Sequence, residues 1–443
     1  MAKELSDLRE LGSSGLNHMS GEINEEFLKE LQGERGRKVL REMADNDPVI
    51  GAILFVVDML MRRVPWKVNA NEKGKDQNEQ VEFIESCFED MSSTWSDVIS
   101  EIMSMLVFGW SYHEIVYKKR LGRDQKSSSK RSKFKDGKIG WRKLPGRAQE
   151  TLWRWDFDDE GGLKGMVQRP PPVFDTRYIP IEKSLLFRTT NKKNSPEGRS
   201  VLRNAVRPHT LKKHIENIEA IGIERDLAGL PIALVPPQIL SSDASPKEKE
   251  IRAKLEQIVK NVRVDEQAGL IFPLAYDESG KLLYDFKLLS SSGKRAFDTN
   301  AIIGRYDQRL SMVVLADFIL LGHETHGSFS LSSSKTNLFA SALGTWLGHI
   351  GEVFNTYAIP RLLELNGFNT EFTPNLKHGD IESPDPKDLG ELISNLAGAG
   401  MPLFPDPNLE NKIRELADLP KAPEDISAML AHMGGGNSSG DKK

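Results

Sequence analysis

Cysteine is nearly absent from this chain. Among 443 residues there is one, Cys87, so no internal disulfide can form and a reducing compartment is expected. Cys87 lies in an apolar helical segment and reads as packing rather than as a nucleophile. Long apolar runs are also missing. Met312–Leu321 is interrupted by Asp317 and Ile50–Met61 is short; neither approaches the roughly 20 residues that cross a bilayer as a helix. No membrane partner is therefore expected. A charge of one sign is lacking too. Charged residues make up 28% of the chain, yet net charge is only −4, which argues against a generally basic nucleic-acid binder. Met1-Ala2-Lys3-Glu4 opens a polar leader without an export signal.

Common enzyme signatures are missing as well. There is no Gly-x-x-x-x-Gly-Lys-Ser/Thr phosphate loop, no strand-linked Gly-x-Gly-x-x-Gly and no Gly-x-Ser-x-Gly elbow. His323-Glu324-Thr325-His326 suggests zinc. Zincins, however, place their histidines four apart on a helix so that both face one metal; these are three apart in a Gly/Ser-rich segment. His378, Asp380, Glu382, Asp385 and Asp388 read as a solvated linker. The expectation is no catalytic residue, no metal and no cofactor.

What is present is a pair of long helices joined by small residues. One runs from about Ala301 to Leu321, the other from about Asn337 to Ala358. On the second, Phe339, Leu343, Trp346, Leu347, Ile350, Val353, Phe354 and Tyr357 form an apolar stripe at helical spacing. Ser341, Gly344, Gly348, Gly351 and Asn355 form another stripe on nearly the opposite side. Glycine costs roughly 1 kcal/mol per helix position relative to Ala, so a second backbone is expected to approach closely there. Two readings stay open: a helix buried in its own domain, or one wedged between subunits with its polar loop facing a shared axis.

Other elements follow from local signals. Residues 1–35 read as a polar arm. Asp47-Pro48 starts a helix, Asp as cap and Pro in the first turn. Trp66-Lys67-Val68 reads as a strand, and residues 79–116 are mainly helical before turning to strand. Leu152-Trp153-Arg154-Trp155 alternates, which predicts both tryptophans on one strand face. A long helix ends near Leu227, with Leu211, Ile215, Ile218 and Gly222 as its narrow packing stripe. Ser245-Pro246-Lys247-Glu248 carries a capping box, so a helix to about Asn261 is predicted. Residues 269–275 and 282–289 read as a hairpin. This small α/β module, 229–290, looks inserted between the two long helices.

Lys118–Arg147 is densely basic, with only Asp124 and Asp136 as acids. Clustered cations release counterions from nucleic acid, so Lys130, Arg131 and Lys133 are candidate nucleic-acid contacts. The segment lacks interleaved aromatics for base stacking, and a solvated hairpin is the blander reading. Its centre, Ser127–Ser132, is expected to be mobile.

The order of these parts resembles the portal (head–tail connector) proteins of tailed phages, most closely those of Mu-like phages, from about Asp45 to Pro420. Asn46-Asp47-Pro48-Val49-Ile50 and Trp66-Lys67-Val68 are similar to that family's opening, and Phe108-Gly109-Trp110-Ser111-Tyr112-His113-Glu114 to its Phe-Gly-aromatic segment. Asn194-Ser195-Pro196-Glu197-Gly198-Arg199-Ser200-Val201-Leu202-Arg203 is similar to the lead-in to the stem, and Glu224–Pro231 to its exit. His326–Leu338 matches the Gly/Ser-rich tunnel-loop segment. The basic stretch 123–136 looks longer than the family pattern requires.

The resemblance implies an α+β portal fold with these parts: an arm (1–39), an α/β wing (40–197), stem helix 1 (198–228), an inserted α/β clip (229–290) and stem helix 2 (291–321). A tunnel loop (322–336), a wing helix and return strand (337–375), a helical crown (376–433) and a disordered tail (434–443) would complete it. It implies a homo-oligomeric ring, usually of twelve, at the capsid vertex of a virion, assembled in the host cytoplasm. Double-stranded DNA would pass through it in packaging and ejection. Terminase large subunit, major capsid or scaffold protein and a neck adaptor would be partners. Gly327, Ser328, Ser330, Ser332, Ser333, Ser334, Lys335 and Thr336 would form the DNA-facing loop, and Gly344, Trp346, Gly348 and Gly351 the subunit-packing helix. The alternatives are a nucleic-acid-acting enzyme and another ring-forming neck or tail adaptor.

Overall fold

The computed structural model describes residues 12–71, 74, 77–228, 230–261, 276, 280, 282, 284–289, 298–313 and 329–381, with backbone alone at 224–228, 230–231, 258, 260–261, 286–289 and 329–337. Helices are mixed with small sheets, and every strand pair among the described residues is antiparallel. The chain divides into two compact units. The first comprises 1–37, 54–199 and 328–443; the second comprises 38–53 and 200–327.

In the first unit, helices Asn78–Glu89, Trp95–Ile102 and Ser104–Phe108 bury Phe83, Ile84, Cys87, Val98, Ile99, Ile102, Met105 and Leu106. Thr94 and Asp97 close a reciprocal capping box at the second of these, which satisfies two otherwise orphaned amides. Strand Trp110–Glu114 pairs with Ser184–Arg188 and with Gly146–Arg147. A second sheet orders Arg177–Pro180, Leu163–Gln168 and Leu152–Phe157. Trp110, Tyr112, Leu152, Trp155, Met166 and Ile179 form a buried cluster between these elements.

The expectation for the tryptophans is corrected here. Trp155 is buried, but Trp153 is half exposed. Register slips between Leu152 and Arg154, so one extra residue opposes the partner strand. Such a bulge reverses the alternation beyond it. The Arg169 guanidinium covers the outward Trp153 ring at 3.7 Å.

The arm is also more than an arm. Helix Gly33–Asn46 begins within it. Upstream, the Trp155 amide donates to the Gly21 carbonyl at 2.9 Å, and Ile23 packs on the aromatic cluster. Trp66–Asn69 is a strand as predicted, and its partner is Asn375–His378. Helix Phe329–Val353 continues through a wide π turn, Phe354–Ala358, into Ile359–Leu365. Pro360 lies just beyond that turn; its ring crowds the carbonyl four residues back and it offers no amide, so the helix widens to accommodate it.

The second unit contains helix Val206–Ala228, preceded by a 3-10 turn at Val201–Ala205, and helix Thr299–Val313. Leu202, Ala205, Val206, Tyr306 and Leu310 are buried. The predicted packing stripe on the first helix is overturned. Leu211 and Ile218 are exposed, as are Ile221 and Ile223, while Lys212 is 3% exposed. The inserted module pairs Leu230–Leu234 with Asp285–Leu289. Its helix Pro246–Asn261 starts at the predicted box: the Glu248 amide donates to Ser245 Oγ (3.4 Å), and the Ser245 amide to Glu248 Oε2 (2.7 Å). An isolated bridge, Tyr276 to Leu282, marks the hairpin turn; residues 269–275, stem residues 314–321, crown residues 382–433 and the tail fall outside the described residues.

Candidate functional site

Two of the segments that carry the resemblance meet in space. Gly109 ends the short helix Ser104–Phe108 at φ +90°, a left-handed conformation that favours glycine. A Cβ there would lie 2.6 Å from the Gly198 carbonyl oxygen, and one on Gly198 would strike the Gly109 carbonyl. The two backbones are thus in direct contact. Thr189 clamps them: its amide donates to Gly109 O at 3.0 Å, its hydroxyl to Arg199 O at 2.6 Å, and its Oγ1 accepts the Arg199 amide at 3.1 Å. Beside this crossing, Trp155 Nε1 donates to Glu197 Oε1 at 2.9 Å. Burial pushes the Glu197 carboxyl up, against the Trp155 bond and the Arg37 charge that lower it.

The long helix Phe329–Val353 has two unlike faces. Phe339, Leu343, Leu347, Ile350 and Val353 are buried, as is Phe354 just beyond. Trp346 is half-buried, and Tyr357 is 48% exposed at the stripe's end. Phe354 meets Trp95 edge-on at 5.1 Å and lies within 6.3 Å of Phe88 and Trp141. On the glycine face the neighbours change along the helix. At Gly351 a Cβ would sit 3.4 Å from Leu376 O and 3.6 Å from Trp66. Asn355 grips the same strand, Nδ2 donating to Leu376 O (3.0 Å) and Oδ1 accepting its amide (2.7 Å). The close second backbone is therefore the chain's own at this end. Among the described residues, a Cβ at Gly348 would meet only His378 Nε2, at 3.9 Å, and one at Gly344 would meet nothing within 4 Å.

The boundary of the tunnel loop is corrected. The helix begins at Phe329 rather than at Asn337, so Ser330, Ser332, Ser333, Ser334, Lys335 and Thr336 have helical backbone. Hydroxyl residues in a row do not break a helix whose remaining turns are buried. Gly327 and Ser328, like His323, Glu324 and His326, lie outside the described residues.

The basic segment is a built structure. Val116–Lys119 and Ile139–Lys143 pair as strands, and residues 120–138 form an excursion at their end. Asp90 holds it. Its Oδ2 takes Lys118 Nζ at 3.0 Å and the Ser132 hydroxyl at 2.6 Å, and its Oδ1 takes the Lys133 amide at 2.7 Å. Lys118 Nζ also donates to the carbonyls of Asp90 and Arg131. Arg120, 2% exposed, pairs with Asp136 at 2.9 Å and stacks on Phe134 at 4.1 Å. The expected mobile centre is thus tied at Ser132. Lys130, Arg131 and Lys133 are brought to one exposed excursion.

Sequence reasoning missed the buried charges. In the second unit Asp47 Oδ1 caps its helix through the amides of Val49 and Ile50 (3.0 and 3.1 Å), as expected. Its Oδ2 meets His209 Nδ1 (3.1 Å) and Lys212 Nζ (3.3 Å), and Lys212 stands 2.7 Å from Asp307 Oδ1. Burial opposes ionisation of Asp47, but the His209 bond, the Ile50 amide and the Lys212 charge outweigh it and hold the carboxyl at about 2. No local spacing marked Lys212, because Asp47 and Asp307 lie on other elements. Nor did any mark Asp90, because its partners lie about 30 to 40 residues away.

No group of three or more His, Cys, Asp or Glu could hold a metal among the described residues. His378 donates through Nδ1 to Gly379 O at 2.8 Å and packs edge-on to Trp66; Asp380 stands near it in sequence, and Glu382, Asp385 and Asp388 lie outside the described residues. Cys87 is buried, which pushes its thiol up to about 11 despite nearby Arg120, so it is not a thiolate at neutral pH. No helix among the described residues is long and apolar enough to cross a membrane.

No curated protein matches the sequence. Among solved structures, the chain is similar to the neck of an empty gene transfer agent (GTA) particle computed with C6 symmetry: TM-score 0.50, 11% identity, 87% of this chain and 94% of the other. It is likewise similar to the neck of a native GTA particle computed with C12 symmetry: TM-score 0.50, 12% identity, 87% and 94%. The family profile described as the portal protein of Mu bacteriophage matches residues 37–415. The chain belongs to the Mu bacteriophage portal protein family.

Proposed function

We propose that this protein assembles as a ring, of twelve subunits, at one vertex of a virion head, and that double-stranded DNA passes through the ring in packaging and ejection. The observation that carries the ring is helix Phe329–Val353. One face is in the core, while the opposite face is glycine and hydroxyl residues, and among the described residues nothing lies within 4 Å of a Cβ built at Gly344. Such a surface admits a second helix at close range. The C12 symmetry of a similar neck structure supports the number. The role is structural, with no catalytic step.

In this reading residues 40–197 are the wing, 198–228 and 291–321 the stem, 229–290 the clip and 376–433 the crown, whose first residues complete the strand Asn375–His378 against Trp66–Asn69 of the wing. Residues 327–336 stand at the channel. Duplex DNA must not adhere there, because dense cations bind phosphate tightly at low salt, and Ser and Thr predominate in that stretch. Terminase, capsid or scaffold protein and a neck adaptor would dock outside the channel. Electron microscopy of the purified protein with mass measurement tests the ring. Rings with a hole of about 20–40 Å, enough for a duplex whose major groove alone is about 12 Å wide, are expected. A monomer at every concentration, with and without capsid protein, overturns the reading.

A further inference from the structure

We propose that the excursion 120–138 is a preformed, sequence-independent docking surface for the phosphate backbone of duplex nucleic acid, separate from the channel residues. The acids beside it are already paired, the buried Asp90 of the neighbouring helix end and the exposed Asp136. Asp90 is taken by Lys118, Ser132 and the Lys133 amide, and Asp136 by Arg120. That leaves Arg123, Lys126, Lys130, Lys133 and Lys135 exposed on the outside, with Asp124 as the one nearby acid in the segment without such a use. The scaffold under them is ordered by backbone bonds: Gly122 N to Phe134 O (2.9 Å), Ser132 N to Gly122 O (3.1 Å) and Arg120 N to Lys138 O (2.9 Å). Binding therefore would not require ordering a loose loop, which lowers its entropic cost.

The surface chemistry selects the ligand class. Phe134 is committed beneath Arg120, so no free ring remains to stack on unpaired bases, as single-strand binders require. Protein partners take apolar or aromatic anchors at their hot spots, and Leu121 is the one exposed large apolar residue here. Lysine, arginine and the hydroxyls of Ser127, Ser128 and Ser129 are phosphate-contacting residue types. A repeating polyanion without base contacts fits these features, and duplex nucleic acid is the one the proposed function supplies. The inference rests on that reading only for the identity of its duplex.

Full-length protein is titrated against a labelled mixed-sequence duplex of about 30 base pairs over a range of salt, with ring formation scored on the same samples. Arg123, Lys126, Lys130, Lys133 and Lys135 are replaced together by serine; none is part of the buried anchor. Each phosphate contact contributes about −0.9 to the slope of log K against log salt. The variant should bind at least about tenfold more weakly near 100 mM salt, with a slope shallower by about 2–4. Changing the four lysines to arginine should preserve both. Unchanged affinity in the serine variant overturns the proposal, as does wild-type protein that fails to bind duplex at low salt. Cation-dependent binding of polyglutamate without duplex binding also overturns it and assigns the surface to an acidic protein. Rings without cation-dependent duplex binding refute this inference alone; cation-dependent binding by protein that stays monomeric with and without capsid protein refutes the ring alone.

Discussion

The two units are held by different chemistry. The first is built mainly on rings, with Trp110, Trp141 and Trp155 fully buried beside Tyr112, Phe187 and Phe354, and it also buries the Lys118–Asp90 pair. The second centres on ions. Lys212 lies among Asp47, Asp307 and Glu216, while the same helix turns Leu211, Ile218, Ile221 and Ile223 to solvent. A buried ion pair contributes little net stability relative to well-packed apolar groups but costs much when broken. Apolar residues left outside on a helix mark surface available to a partner. Both units keep unpartnered surface: the first at the open glycine face around Gly344, the second at the apolar residues of its long helix.

Removing a charge should give the largest difference between them. Asp47→Ala strips a helix cap and leaves Lys212 without its most buried partner, so the second unit should lose about 3–5 kcal/mol. Chemical denaturation followed by hydrogen exchange in each unit would locate the loss; an equal loss in both units would break the contrast. In the first unit Gly109→Ala forces a side chain to φ +90° and into Gly198, with an expected cost of about 1–3 kcal/mol. Stability unchanged at Gly109 would mean the crossing is loose.

Acid should separate the units by pH. His113 lies fully buried; Leu144 O can only accept, so Nδ1 carries the proton and donates at 2.9 Å, and Nε2 accepts from the Ser111 hydroxyl at 2.6 Å. Burial lowers its pKa, against the Leu144 bond and Glu101 that raise it; burial also lowers His349. With folded values below the ordinary 6.5, the unfolded chain takes up protons first. His113 and His349 should weaken the first unit as pH falls below that value, outweighing Glu197, whose raised carboxyl acts in the opposite direction. Asp47 acts lower: its contribution is present above its ordinary 3.8 and is lost as pH falls toward about 2. Near pH 5, hydrogen exchange should find the first unit weakened and the Asp47 cluster intact. The reverse order would remove the distinction.

The smallest effect on folding is expected at the open helix face. A Cβ at Gly344 meets nothing within 4 Å among the described residues, and Gly344→Leu replaces a poor helix former, so the subunit should be as stable or up to about 1 kcal/mol more so. Ring assembly should nevertheless fail. A variant that forms normal rings would free Gly344 from the interface and leave Gly351, packed on Leu376, as the one glycine of that face with a structural reason.

Local signals in the sequence were read well where a few neighbouring residues decide. The Asp47 cap, the Ser245–Glu248 box, the strand at Trp66 and the buried stripe Phe339–Phe354 all depend on spacing within one or two turns. The glycine stripe was legible as a close approach, but its partner was not. Leu376 lies 25 residues beyond Gly351 by number and reaches it by pairing with Trp66–Asn69. The Trp153 bulge was also hidden, since strict alternation gives no hint of an extra residue opposite Val167 and Gln168.

By itself, then, the sequence determined the capped helix starts at Asp47 and Ser245, the strand at Trp66 and the family the chain resembles, because period and capping act over a few residues. Tertiary structure alone decided which charges are buried. Asp90 and Lys118 are unremarkable acids and bases until distant backbone carbonyls and Ser132 converge on them. The same holds for Lys212, whose place beside Asp47 and Asp307 inverts the expected packing face of its helix. An ion enters a protein interior only where partners from separate segments replace its water, and no single segment encodes that meeting.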